Sequence, residues 1–355
     1  MDDKLHRKLA KRREEGTLRS LSSFQGFVDF SSNDFLGLAR KSVEHGTYGA
    51  TGSRLISGNS DKVEVLETKL STHFNAKSAL FFNSGYDANI GIFSSIPQRH
   101  DVVLFDRSIH ASVRDGIRLS LASSYAFNHN DLEDLSQLLV KNAESTCYVA
   151  VEGLYSMNGD SSDIDAILSL CKRFNAYLII DEAHSCGVLG EKGMGVSFKY
   201  AQHPNLLLRL VTFGKAFGSH GAIVLCSEEL RTFLINFARS FIYTTALPID
   251  HLKFISERIL NNDKYENERK LLADNIAYFQ SKVETKRGGD VDSPIQMVFY
   301  SSMEELEAAE QRCIESKVHV KAMKPPTVQK GEESIRICLH SFNSKNEVDL
   351  LISLL

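Results

Sequence analysis

Short apolar runs and helix-period stretches alternate along most of this chain. The runs at 79–82, 102–105, 147–151, 177–180, 207–212 and 222–226 are blocks rich in Val, Ile, Leu, Phe and Ala with little polar alternation. Such blocks mark strands covered on both faces. Helical stretches lie between most of them, as at 164–174. Val63, Leu66 and Leu70 give 60–74 one apolar helical face. The alternation predicts an α/β fold, with a mainly parallel sheet sandwiched by helices. Pro248 marks a change. Long helices follow over 249–284, broken near Asn261-Asn262-Asp263. After them come a strand at 295–300, a helix at 303–317, a strand at 335–339 and a closing helix at 348–355. That mixture predicts a smaller α+β domain at the C-terminus. The expected division is 1–32 as a basic helix and short strand, 33–262 as the large domain and 263–355 as the small one.

Composition narrows the class without choosing a function. A chain of 355 residues is too long for one small core. A net charge near −4 gives no reason to expect nucleic acid or an anionic membrane as partner. The six cysteines are scattered, with no Cys-x-x-Cys pair and no His cluster at zinc spacing. They read as buried free thiols in a reducing compartment. No apolar run approaches the ~20 residues of a membrane span. The charged N-terminus does not resemble a secretory signal, so a cytoplasmic protein is expected.

The chemistry gathers where strands end. Asp181 closes the run Tyr177-Leu178-Ile179-Ile180, and open parallel sheets place ligands at the carboxyl ends of their strands. A carboxylate there can hold a ring nitrogen protonated. His184 follows three residues on. The same Asp-x-x-His can also ligate a metal or simply cap a turn, but no further ligand stands nearby. Lys215 lies in Thr212-Phe213-Gly214-Lys215-Ala216-Phe217-Gly218. A lysine in a crowded, dry site loses basicity and can form a Schiff base. Pyridoxal phosphate (PLP) chemistry needs both groups, one for the cofactor aldehyde and one for its pyridinium. Asn83-Ser84-Gly85-Tyr86 follows an apolar run and precedes a helix, an arrangement that suits a phosphate. His110 stands just past the run 102–105, and Ser156 lies in the loop after 147–151. Arg336 sits in Ile335-Arg336-Ile337-Cys338-Leu339, either as an edge-strand arginine facing solvent or as a partner for a substrate carboxylate.

Five ordered runs resemble the α-oxoamine synthases. They are Ser32-Asn33-Asp34-Phe35-Leu36-Gly37, Thr51-Gly52-Ser53-Arg54, Ser108-Ile109-His110-Ala111-Ser112, Asp181-Glu182-Ala183-His184-Ser185 and the Lys215 run. The resemblance implies an aspartate aminotransferase-like fold of type I with PLP as cofactor. It implies condensation of a small amino acid with an acyl-CoA or acyl-carrier-protein thioester. Lys324-Pro325-Pro326-Thr327-Val328 is similar to the branch using L-alanine and a pimeloyl thioester. Gly49-Ala50-Thr51-Gly52-Ser53-Arg54 looks as much like a branch using glycine. By resemblance, Lys215 would carry PLP and move the Cα proton, Asp181 would face the pyridinium, and His110 would stack on the ring. His184 and Ser156 would hold the phenolic oxygen. Ser84, Gly85, Tyr86 and Thr212 would bind the cofactor, with Thr212 on its phosphate. Arg336 would take the amino acid carboxylate, with Arg19, Asn33 and Thr327 near the substrate. The family's homodimers imply that Thr244 and Thr245 reach a neighbour's phosphate.

Overall fold

The computed structural model describes residues 14–15, 27–30, 34–38, 49–283, 287–325, 328 and 330–355. Arg19, Asn33, Thr327 and the basic helix expected at 2–13 lie outside the described residues.

Each apolar block becomes a strand. After the short β1 (Val28–Asp29) come β2 (Ser78–Phe82), β3 (Val102–Asp106), β4 (Ser123–Phe127), β5 (Cys147–Glu152), β6 (Tyr177–Asp181), β7 (Leu206–Thr212) and β8 (Ala222–Cys226). The sheet has the order β2-β8-β7-β6-β5-β3-β4. All neighbours from β7 through β4 pair in parallel, while β8 runs antiparallel to β7 and β2. Successive side chains of a strand point to opposite faces. Leu80 and Phe82 therefore join one core with Val103, Ile179 and Leu210. Ala79 and Phe81 join another with Val211 and Phe213. Each fully buried side chain of this kind contributes about 1.5–3 kcal/mol.

The helices α1 (Asp61–His73), α2 (Gly85–Ser95), α3 (Ala111–Arg118), α4 (Leu132–Lys141) and α5 (Ile164–Phe174) connect the strands. Their starts are written in the sequence. The Ser84 hydroxyl accepts from the Asp87 N–H at the head of α2, and the Asp163 carboxylate from the Ala166 N–H at the head of α5. Asn175 ends α5 in a left-handed conformation. Strand β4 was not expected. Its first four residues are exposed at the sheet edge, so it lacks the apolar block that marked the others.

Two helices, α6 (Glu228–Phe237) and α7 (Arg239–Ile242), lead to α8 (Ile249–Leu260) and α9 (Glu266–Lys282). A second sheet then forms from β9 (Arg287–Gly288), β10 (Ile295–Phe299), β12 (Lys321–Met323) and β13 (Ser334–Cys338), antiparallel in the order β12-β13-β10-β9. Helix α10 (Met303–Glu315) and helix α11 (Lys345–Leu354), the latter opened by a Ser344/Glu347 capping box, pack on it. Strand β11 (Val318–His319) pairs in parallel with β1. Phe30, Phe35, Leu36 and Leu38 share this second core with Ile295, Ile335 and Leu351.

Candidate active site

Five strand ends and the loops beyond them, at the carboxyl edge of the large sheet, build one cleft of about 230 Å³. Its walls carry Ser84, Gly85 and Tyr86 after β2, His110 after β3, Glu152 at the end of β5, Asp181 and His184 at the end of β6, and Thr212 and Lys215 after β7. Glu152 and Asp181 are direct partners in the β5–β6 register, so two strand-end carboxylates sit side by side.

The buried Asp181 carboxylate accepts from the Asn89 side-chain amide at 2.8 Å and from the Ala183 N–H at 2.9 Å. The Asn89 amide also donates to the Ser112 hydroxyl at 3.0 Å, which lies 2.8 Å from His110 Nδ1. Burial lowers the basicity of His110, against the opposing pull of Asp181. Glu152 accepts from the His110 N–H at 2.7 Å. Burial, reinforced by Asp181, pushes its carboxyl up to about 8. Lys215 shows some surface to the cleft mouth, yet burial lowers its pKa, while Asp181 and Glu152 pull it back up. Asn89, Ser112 and Glu152 were not singled out from the sequence. Glu152 carried a signal, a carboxylate closing an apolar strand. Asn89 and Ser112 lie on helices α2 and α3, where only the tertiary fold gives them meaning.

Three observations test whether these residues fit PLP. His184 Nδ1 is buried and has no protein partner, aimed at a site that must supply one. A Cβ on Gly85 would come within 2.5 Å of Thr212 Cγ2, so the head of α2 is open because no side chain stands there. Free backbone N–H groups at that helix start suit a phosphate. An amine and a carboxylate share the cleft with them. The residues fit the cofactor. Among the described residues, no group of His, Cys, Asp and Glu could hold a metal ion.

The remaining expected residues lie outside the cleft walls. Ser156 stands in the loop after β5, and its carbonyl accepts from Arg336 Nε at 2.6 Å. Arg336 is 9% exposed in β13, an interior strand of the small sheet. The solvent-facing edge arginine considered from sequence is thereby corrected: β12 and β10 flank it on both sides. Thr244 accepts from the Asn83 amide at 3.0 Å and lines a smaller neighbouring cavity, while Thr245 is exposed beside it.

The profile of the Aminotransferase class I and II family matches residues 25–355. The chain belongs to this family. The 8-amino-7-oxononanoate synthase of Emericella nidulans is 37% identical, covering 99% of this chain and 94% of that protein. The enzyme of the same name from Lysinibacillus sphaericus is 32% identical over 99% of this chain and 97% of its own. Among solved structures, 8-amino-7-oxononanoate synthase from Francisella tularensis aligns with a TM-score of 0.77 at 30% identity, covering 93% of this chain and 96% of that one. Serine palmitoyltransferase from Sphingomonas wittichii aligns with a TM-score of 0.88 at 24% identity, covering 99% and 96%, which shows the shared type I fold. Within the aminotransferase family the chain falls among the α-oxoamine synthases, as its five motifs imply.

Proposed function

We propose that this chain is a PLP-dependent acyltransferase that condenses L-alanine with pimeloyl-CoA, or the matching carrier-protein thioester, to give 8-amino-7-oxononanoate for biotin synthesis. The observation that carries it is the joint presence of Lys215, Asp181 and an unpartnered His184 nitrogen in one cleft. The relatives' common name supports the product, and the substrates are those that the resemblance implies. When bound, PLP supplies an electron sink for the charge that develops on the amino acid Cα.

The protein's own groups do the rest. Lys215 would hold the cofactor, and its amine would take the Cα proton and later return one. Its lowered basicity suits that exchange near neutral pH. Asp181, fixed by Asn89 and Ala183, keeps the ring nitrogen protonated. His110 would pack against the cofactor, and its tether through Ser112 sets the imidazole's angle. His184 and Ser156 serve the phenolic oxygen. Ser84, Gly85, Tyr86 and Thr212 take the phosphate end. Arg336 takes the amino acid carboxylate, and the resemblance adds Arg19, Asn33 and Thr327 as substrate residues. A carbon–carbon bond forms to the thioester carbonyl, the CoA thiol leaves, and the original carboxylate departs as carbon dioxide.

The working unit is a cytoplasmic homodimer. Leu55 and Ile56 are 53% and 85% exposed and Tyr243 72%, in segments joined by the bond from the Ala246 N–H to the Gly52 carbonyl at 3.0 Å. This apolar face adjoins Thr244 and Thr245, which would reach the neighbour's phosphate. Among the described residues no helix is long and apolar enough to cross a membrane. The experiment is CoA release across a panel of small amino acids and acyl thioesters. Alanine with a pimeloyl thioester should turn over fastest. Preference for glycine with acetyl-CoA would identify a glycine C-acetyltransferase instead, and full activity in a sedimenting monomer would refute the shared site.

A further inference from the structure

Outside the cleft, one imidazole binds two loops together. His129, in the turn between β4 and α4, places Nδ1 2.8 Å from Asp106 Oδ1 and Nε2 2.9 Å from Asp160 Oδ2. Both nitrogens face carboxylates, so both donate and the ring is a cation; burial opposes that charge, but the two aspartates together raise its pKa to about 10. The ring also stands edge-on to the buried Tyr155 at 4.6 Å. Asp106 is fully buried and accepts from the Ser108 and Asn130 N–H groups as well, which fixes the start of the loop leading to His110. Asp160 lies in the loop that presents the Ser156 carbonyl to Arg336, and the Tyr155 N–H donates to the Asp160 carbonyl at 2.8 Å.

The same two loops meet again on the cleft side. The Glu152 carboxylate accepts from the His110 N–H and from the Ser156 backbone. The loops are therefore clamped at two levels, by Glu152 at the cleft and by His129 behind it. We propose that His129 is a positioning residue: it holds the Tyr155–Asp160 loop so that the Ser156 carbonyl orients Arg336 for the amino acid carboxylate. This rests on the reading of Arg336 given above.

Replacing His129 by glutamine leaves one donor amide for two carboxylates, which then face each other with no intervening cation. The loop carrying Asp160 shifts, and with it the Ser156 carbonyl that accepts from Arg336 Nε. Misplacement of a binding group by a fraction of an ångström is enough for an effect of about tenfold.

The test is a double-mutant cycle on the holoenzyme, with L-alanine as the probe. Its Kd is read from the change in cofactor absorbance, with no thioester present. Arg336→Lys alone should weaken alanine, and if it does not, the reading of Arg336 fails. His129→Gln alone should raise the alanine Kd about tenfold and the PLP Kd by much less, because Ser156 is one of several cofactor contacts. In the Arg336→Lys background, His129→Gln should add little, because the two act through one contact. An unchanged alanine Kd in His129→Gln overturns the positioning role. So does an equal loss in both backgrounds, or a matching loss of PLP affinity. Should His129→Gln fail to fold, Asp160→Asn weakens only the outer arm and answers the same measurement by the same criteria.

Discussion

Gly85→Ala separates the fold from the cofactor site, because a helix gain offsets part of the steric cost in the fold and nothing offsets it in the site. Gly85 is the first residue of α2, and alanine there favours the helix by about 0.4–1 kcal/mol. The added Cβ would meet Thr212 Cγ2 at 2.5 Å, whereas ordinary contact begins near 3.4 Å. Something must yield by about 0.9 Å (3.4 less 2.5). The next atom, Thr212 Cβ, stands at 3.7 Å, so the methyl alone is in the way. Forcing a methyl into a filled site costs about 1–3 kcal/mol. Threonine has few rotamers, and turning its methyl away moves the hydroxyl proposed for the phosphate. Folding should thus change little, while PLP affinity should fall about 10- to 100-fold, the equivalent of ~1.4–2.8 kcal/mol. Thr212→Ser removes the offending methyl and keeps the hydroxyl. The double variant should therefore recover most of the lost affinity. Thermal unfolding of the apo-protein and fluorescence titration with PLP measure the two effects. Wild-type PLP affinity in Gly85→Ala, or no recovery in the double variant, refutes the argument.

Lys215→Ala should abolish the visible absorbance of lysine-bound cofactor and reduce turnover by at least ~10³-fold, the scale of a lost nucleophile and general base; a spectrum like the wild type would remove Lys215 from the chemistry. Glu152 gives a pH signature in the apo-protein. Its folded pKa is raised from 4.5 to about 8, chiefly by burial, so the folded state holds the extra proton and stability falls as pH rises from 4.5 to 8. Glu152→Gln should flatten that fall in urea titrations, and equal slopes in both proteins would count against it. All six cysteines are buried, and burial pushes the Cys186 thiol far above its ordinary range and Cys171 up to about 12. Native protein should resist iodoacetamide at pH 8 and become alkylated only on denaturation, as intact-mass spectrometry would record.

Strands with two covered faces were legible because burial on both sides forces apolar residues at every position. Strand β4 was not, since Ser123-Ser124-Tyr125-Ala126 borders solvent and pairs with β3 alone. The two-residue strands β9 and β11 are too short to show a period. In the site, Asp181 and Lys215 announced themselves as charges at the ends of apolar runs. Asn89 gave no such sign, because an amide on a buried helical face becomes telling only once Asp181 is found 2.8 Å away. His129 was silent for the same reason. Its partners stand 23 and 31 residues off in sequence, joined only by the path of the sheet.

The reversal between β7 and β8 has a consequence for the amine at position 215. The link is pinned at its base by the Phe213 N–H on the Gly221 carbonyl at 2.9 Å and by the Ser219 N–H on the Phe213 carbonyl at 2.7 Å. The backbone under the nitrogen is a tied knot, so its travel between two bonding partners comes from the torsions of four methylenes. An unnatural side chain one atom shorter or longer, installed through a cysteine at 215, would measure that reach directly, like changing the length of a crane's arm on a fixed base.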